Sequence, residues 1–200
     1  MKRRKLVNRL AWTIISVALL WTAVTIWVEM EGPARWTRLG EAGDSLKVLI
    51  VYDPDPIYNL DEQICNEIAR GIGFEDAEVI IATAAATHDD MLGNFNAVVV
   101  CANTYNWAPD WAVTRFIKSH PQLKDIPVVA VTVGSGSTSA SHHRLNKLLG
   151  SRNIDVIDER EWWLMRPNDE SRIDEENVKI AKDQAYKFGR QVGTRIKLRR

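Results

Sequence analysis

The chain has 200 residues with 26 Lys+Arg against 26 Asp+Glu, a formal net charge of zero. That length suits one domain of about 100–200 residues, and 46% hydrophobic with 26% charged residues excludes a globally disordered chain. The charge is unevenly spread: residues 1–9 hold five basic side chains and the last six residues hold four, leaving 17 basic against 26 acidic, or −9, between 10 and 194. Such an acidic body lacks the basic face that neutralises phosphates, so nucleic acid is not an expected partner.

Residues 1–9 form a basic flank with Lys2, Arg3, Arg4, Lys5 and Arg9. Leu10–Val28 follows with 19 uncharged residues, which as a helix reach about 28 Å, close to the ~30 Å hydrocarbon thickness of a bilayer. Trp12 and Trp27 lie near the two ends, where indole rings favour the headgroup region. A cleaved signal peptide shares the basic start, but its apolar region normally runs about 7–15 residues and ends at a small-x-small site. The run here is longer and ends Trp27-Val28-Glu29-Met30, so an uncleaved membrane anchor over 10–28 is expected, with the lipid bilayer as a partner. The basic flank places the N-terminus in the cytoplasm and the following domain outside a cell membrane crossed once. Residues 29–46, with three glycines and a proline, read as a linker to a domain over 47–200.

Lys47–Tyr52 is a short β-branched run fit for a strand buried on both faces. Leu60, Ile64, Ile68 and Ile72 recur every four residues, and Asn59 followed by Glu62 has the chemistry of a helix start. Further strands are expected at Ala77–Ala82, Ala97–Ala102 and Ile126–Thr132, with a weaker fifth at Asn153–Ile157. Helices are expected at Trp111–Ser119 and Ser141–Leu149. A last one carries the apolar stripe Val178, Ala181, Ala185, Phe188, Val192 and Ile196. Alternating strands and helices imply an α/β domain, a parallel sheet covered on both faces, with ligands expected beyond the carboxyl ends of the strands. Three loops leave those ends, at 53–59, 103–110 and 133–140.

The motifs KVLIVY and NEIARGI, the stretch NAVVVCANTYNWAPDWAVTRFIKSHPQLKDIPVVAVTVGSG and the terminal YKFGRQVGTRI resemble the flavodoxin-like family over about residues 47–196. The resemblance implies a three-layer fold with a five-stranded parallel sheet in the order 2-1-3-4-5. It also implies FMN as cofactor, its phosphate at the start of the first domain helix and its ring between the other two loops. Electron transfer or reduction of a small acceptor, with a redox protein partner, would follow. Aligned back from the helix, Tyr58 falls on a phosphate-loop hydroxyl position and Asn59 on the glycine. Asn103, Thr104, Tyr105, Asn106 and Trp107, with Gly134, Ser135 and Gly136, stand where the ring would lie. Trp107 and Trp111 can equally be ordinary surface aromatics.

The first loop departs from that pattern. It reads Asp53-Pro54-Asp55-Pro56-Ile57-Tyr58-Asn59-Leu60-Asp61, placing carboxylates where a dianionic phosphate would sit. Repulsion there is worth a few kcal/mol, roughly, and two prolines remove backbone donors. The alternative to an electron carrier is therefore a flavodoxin-like interaction module that has lost FMN.

No metal ligand set and no nucleophile–base pair is indicated. Asp53, Asp55 and Asp61 lack calcium-loop spacing, and His142 and His143 point about 100° apart on a helix and are expected in solvent. Cys65 and Cys101 read as buried small hydrophobes. Glu159–Glu176, with Trp162 and Trp163, either covers the sheet edge or presents a partner site. The basic tail Arg195–Arg200 is expected to be solvated.

Overall fold

The computed structural model describes residues 2–41, 46–88 and 90–199. Helix α1 (Lys2–Val28) is followed by β1 (Trp36–Leu39), β2 (Leu46–Tyr52), α2 (Leu60–Gly73), β3 (Ala77–Thr83), β4 (Ala97–Tyr105) and β5 (Ala108–Pro109). Then come α3 (Trp111–Ser119), β6 (Val128–Gly134), α4 (Ser139–Ser151), β7 (Val156–Trp163) and α5 (Asn177–Leu198). The sheet runs β1-β3-β2-β4-β6-β7, with β5 paired to the end of β4. The five strands β3, β2, β4, β6 and β7 are mutually parallel and reproduce the expected order 2-1-3-4-5.

The strand count is a correction. Among the described residues the sheet has seven strands, because β1 and β5 join the five expected ones. β1 lies inside the stretch expected as a linker and pairs antiparallel with β3, from Trp36 opposite Ala82 to Leu39 opposite Val79. Four residues are too short to display a period-2 pattern, and what recruits them is the open backbone edge of β3. Thr83 reinforces the pairing: Arg35 N donates to its Oγ1 at 3.0 Å and its own N–H donates to Arg35 O at 2.9 Å. β7 begins later than expected and runs on through the charged stretch Asp158–Glu161. An edge strand keeps one polar face in water, so its sequence lacks the continuous apolar run of the central strands.

Each sheet face carries its own core. On one face Leu60, Ile64, Ile68 and Ile72 of α2 meet Ala181, Ala185, Phe188, Val192 and Ile196 of α5. On the other, Val113, Phe116 and Ile117 of α3 and Leu145 and Leu149 of α4 cover the opposite side chains of the same strands. The expected apolar stripes are thus buried as read, Val178 alone only partly. α2 and α5 cross where each lacks a side chain. A Cβ on Gly71 would strike the carbonyl oxygen of Tyr186, and one on Gly189 would strike that of Ile68.

The stretch from β7 into the loop before α5 also closes on the core. Trp162 is fully buried and meets Phe188 edge to face, with ring centroids 5.5 Å apart. Asn177 holds the following loop, its Nδ2 donating to the carbonyls of Trp163, Leu164 and Arg166 at 2.8–2.9 Å. The Trp-bearing stretch is therefore the edge strand itself, with Trp162 turned into the core. The basic tail is paired: Arg195 with Asp158 at 2.7 Å, Lys197 with Glu75 at 3.5 Å and Arg199 with Asp155 at 2.6 Å. Three of its cations thus have local counter-charges.

Gly189→Ala is expected to destabilise the fold by about 1–3 kcal/mol, since overpacking against a backbone carbonyl forces the helices apart. Thermal unfolding read by circular dichroism checks this. A surface control, Gly150→Ala, whose added methyl meets open space, should leave the transition unchanged or slightly raised.

Candidate functional site

Because β2, β4 and β6 are neighbours, the loops at their carboxyl ends converge at one edge of the sheet. Five carboxylates gather there, and each is held by backbone N–H groups. Asp55 Oδ1 accepts from Ile57 N at 2.6 Å and Tyr58 N at 2.8 Å, while Oδ2 accepts from Tyr105 Oη at 2.8 Å. Asp61 Oδ2 accepts from Asp55 N at 2.9 Å. Asp53 Oδ1 accepts from Gly32 N at 2.9 Å. Asp110 caps α3, accepting from Val113 N, and also from Asn103 N, both at 2.8 Å. Glu29 Oε2 accepts from Trp111 N at 2.8 Å.

Asn103 ties the first two loops together. Its Nδ2 donates to Asp53 O at 2.8 Å and to Asp61 Oδ2 at 3.1 Å. Burial lifts Asp53 and Asp61 each to about 6 and holds Asp110 well above the ordinary carboxylate range. Glu29 is raised for the same reason. Burial, then the hydrogen bond to Asp55, pushes the Tyr105 phenol up, so it stays a donor.

Beside this cluster lies a cavity of about 260 Å³, just under the ~300–1,000 Å³ of ordinary small-molecule sites. Tyr58, Asn103, Thr104, Tyr105, Asn106, Gly134 and Ser135 line it, so seven of the ten sequence-predicted site residues come together. Gly134 is needed there: a Cβ would lie 2.7 Å from Thr138 Cγ2 and 3.0 Å from Thr104 Cβ. Thr104 Oγ1 is buried there without a hydrogen-bond partner.

The other three stand outside the lining. Asn59 sits in the left-handed region at φ 52° and makes no side-chain cap to α2, contrary to the expected helix-start chemistry. Asn106 and Trp107, at φ 48° and 59°, form the two-residue turn of the β4–β5 hairpin, the geometry of a type I′ turn. That turn swings Trp107 outward, where it is 64% exposed. Gly136 stands in the loop before α4, beyond the residues that line the cavity.

Sequence reasoning missed the fourth wall. Trp21, Val24, Thr25 and Val28 of α1 line the cavity, and Asn106 Nδ2 donates to Thr25 Oγ1 at 3.0 Å. No local pattern brings a residue at 25 against one at 106. The pairing of β1, the anchoring of Glu29 and Gly32 and the Glu31–Arg115 pair fix the exit of the helix. His142 is another correction. It is not in solvent but accepts or donates at Thr132 Oγ1, 2.9 Å from Nδ1, with Glu159 3.3 Å from Nε2. Cys65 and Cys101 are both buried free thiols, as expected.

A scan against models of protein families finds no match, and no curated protein matches the chain. Solved structures do. The fold is flavodoxin-like. A flavodoxin, WrbA-like protein from Agrobacterium tumefaciens aligns with TM-score 0.59 at 12% identity, covering 78% of this chain and 100% of that one. A flavodoxin from the domain Archaea aligns with TM-score 0.54 at 15% identity, covering 76% and 99%. The flavodiiron protein from Giardia intestinalis aligns with TM-score 0.58 at 17% identity, covering 75% of this chain but 36% of that one.

FMN can be tested against the residues present. Its phosphate would need the amides at the start of α2 and its preceding loop. Ile57 N, Tyr58 N and Asp55 N are already committed to carboxylates of the chain itself, and Pro54 and Pro56 have no N–H. The phosphate half does not fit.

The buried carboxylates predict a pH dependence. With Asp53 and Asp61 near 6 in the fold and near 3.9 unfolded, the folded state binds protons more tightly. The contribution of these two groups to stability is therefore fullest at low pH and falls as pH rises from about 4 to about 6. The full chain in detergent should melt higher at pH 5 than at pH 7.5. Asp53→Asn, which keeps an acceptor for Gly32 N, should raise stability at pH 7.5 by on the order of 2 kcal/mol and flatten the profile.

Proposed function

We propose that the protein is a membrane-anchored flavodoxin-like interaction module that has given up FMN binding through the phosphate. The observation that carries this is the Asp55 carboxylate seated on the Ile57 and Tyr58 amides. A carboxylate there replaces an incoming phosphate with a covalently attached anion, and a dianion would meet Asp53, Asp55 and Asp61 together. Membrane attachment is supported by Leu6–Val28, long and apolar enough to span a bilayer, with none of its apolar window buried against the protein. The basic flank supports a cytoplasmic N-terminus with the domain on the other side. A reporter fused after Arg200 should accordingly be active outside the cytoplasm, and activity confined to the cytoplasm would reverse the orientation.

A second reading has its own support. Asn103, Thr104, Tyr105, Gly134 and Ser135 line the cavity where the family resemblance calls for a flavin ring, and Thr104 Oγ1 lacks a partner. On that reading the chain is an FMN electron carrier served by a redox protein partner.

Flavin titration separates the two. The full chain in detergent, mixed with excess FMN and desalted, should stay colourless and leave flavin fluorescence unquenched. Asp55→Ser, which frees the loop amides, should strengthen FMN binding by about tenfold or more (1.4 kcal/mol). A wild-type chain that retains stoichiometric FMN overturns the interaction-module reading. Riboflavin, the same ring without phosphate, then tells whether the phosphate contributes.

A further inference from the structure

The domain meets α1 alongside the apolar run, not beyond it. The cavity wall includes Trp21 and Val24, and the hairpin tip reaches Thr25 through Asn106. On a helix rising about 1.5 Å per residue, Thr25 lies roughly 5 Å and Trp21 roughly 10 Å before Val28 along the axis. If Val28 marks the end of the span, loops touching those residues lie at or below the surface of the hydrocarbon. The polar layer above it is itself only about 5–7 Å deep.

The side chains that this edge turns outward have the matching chemistry. Ile57 is 54% exposed, Tyr58 49%, Trp107 64% and Met165 71%. Met165 belongs to the same rim, since its N–H donates to Ser135 O at 2.8 Å. Aromatic rings with a polar edge favour the headgroup level. The acidity of the edge does not oppose this: Asp53, Asp61, Asp110 and Glu29 are all buried. Asp55 spends both carboxylate oxygens on internal donors, and Glu31 is paired with Arg115.

We infer that the carboxyl edge of the sheet is a bilayer-docking face: Ile57, Tyr58, Trp107 and Met165 insert among lipid headgroups around the emerging helix. The domain is then not swung on a tether but held edge-down, and the cavity opens into the interfacial layer. This rests on the reading of α1 as a membrane span and is independent of whether FMN binds.

The test uses the full chain reconstituted in phosphatidylcholine vesicles, with single spin labels introduced by Ile57→Cys, Trp107→Cys, Val17→Cys and Lys124→Cys. Cys65 and Cys101 are fully buried and stay in place. Val17 reports the middle of the span, and Lys124, exposed in the connection before β6, reports the opposite edge of the sheet. The ratio of collisions with dissolved oxygen to collisions with a water-soluble paramagnetic complex measures depth. Labels at 57 and 107 should shift from the value at 124 toward that at 17. Labels at 57 and 107 that match 124 while 17 reads deep overturn the docking face and leave the anchor standing. A label at 17 as water-accessible as that at 124 overturns the anchor, and the docking face with it. A second readout guards against a local effect of the Trp107 change: backbone amide exchange at Ile57, Tyr58 and 105–107 in the unsubstituted chain should be slower in vesicles than in detergent. Equal rates count against docking.

Discussion

The constraint on which the molecule depends is the need to satisfy five carboxylates at one edge of a parallel sheet. A buried carboxylate without donors is costly by several kcal/mol. Asp53, Asp55, Asp61, Asp110 and Glu29 each take at least one backbone N–H bond, drawn from other segments in the cases of Asp53, Asp110 and Glu29, while Asp61 Oδ1 stays buried without a partner. Those bonds do the structural joining. Asp53 fastens the chain at Gly32, Glu29 fastens the end of α1 to the start of α3, and Asp110 both caps α3 and grips Asn103. Asn103 in turn binds Asp61 and the carbonyl of Asp53. The edge that would receive a phosphate is thereby spent on holding loops and helix in place.

That expenditure separates fold from activity. The alignment with flavodoxins extends over about three-quarters of the chain and nearly the whole of those proteins, yet identity is 12–15%. At that distance only the architecture carries over, and function has to be argued from the site. The loops after β4 and β6 line a small cavity with an unsatisfied threonine hydroxyl. The loop amides before α2 are taken by the chain's own acid. The helix that closes the cavity is the same one whose length and hydropathy suit a bilayer, so the cavity and the end of the apolar helix form one region.

Reading the residues alone goes far where the pattern is strong and local. The stripes at 60–72 and 178–196 and the strands at 47–52, 77–82 and 97–102 are legible because a helix or strand buried on a fixed face must repeat its apolar residues at a fixed period. Weakly patterned pieces are not. β1 is four residues long between Gly/Pro-rich turns, β7 is a charged edge strand, and Asn59 has the composition of a cap but the backbone of a left-handed turn. Among candidate site residues, position after a strand found seven lining residues, since the sheet brings such loops together whatever their composition. It left Trp107 open, because the hairpin turn that faces it outward depends on two successive positive φ values.

The sequence by itself determined the apolar span, the α/β class, the buried helix faces and the concentration of acid in the loop at 53–61. These follow from composition and period, which act within a few residues. The tertiary structure decided what the acid does. Whether Asp55 repels a phosphate from solvent or occupies its place depends on where the amides of Ile57 and Tyr58 point and on a tyrosine fifty residues away. Likewise, only packing sets Thr25 beside Asn106 and puts the end of the helix over the cavity. Such pairings join segments far apart in the chain through single hydrogen bonds, and no local propensity encodes them.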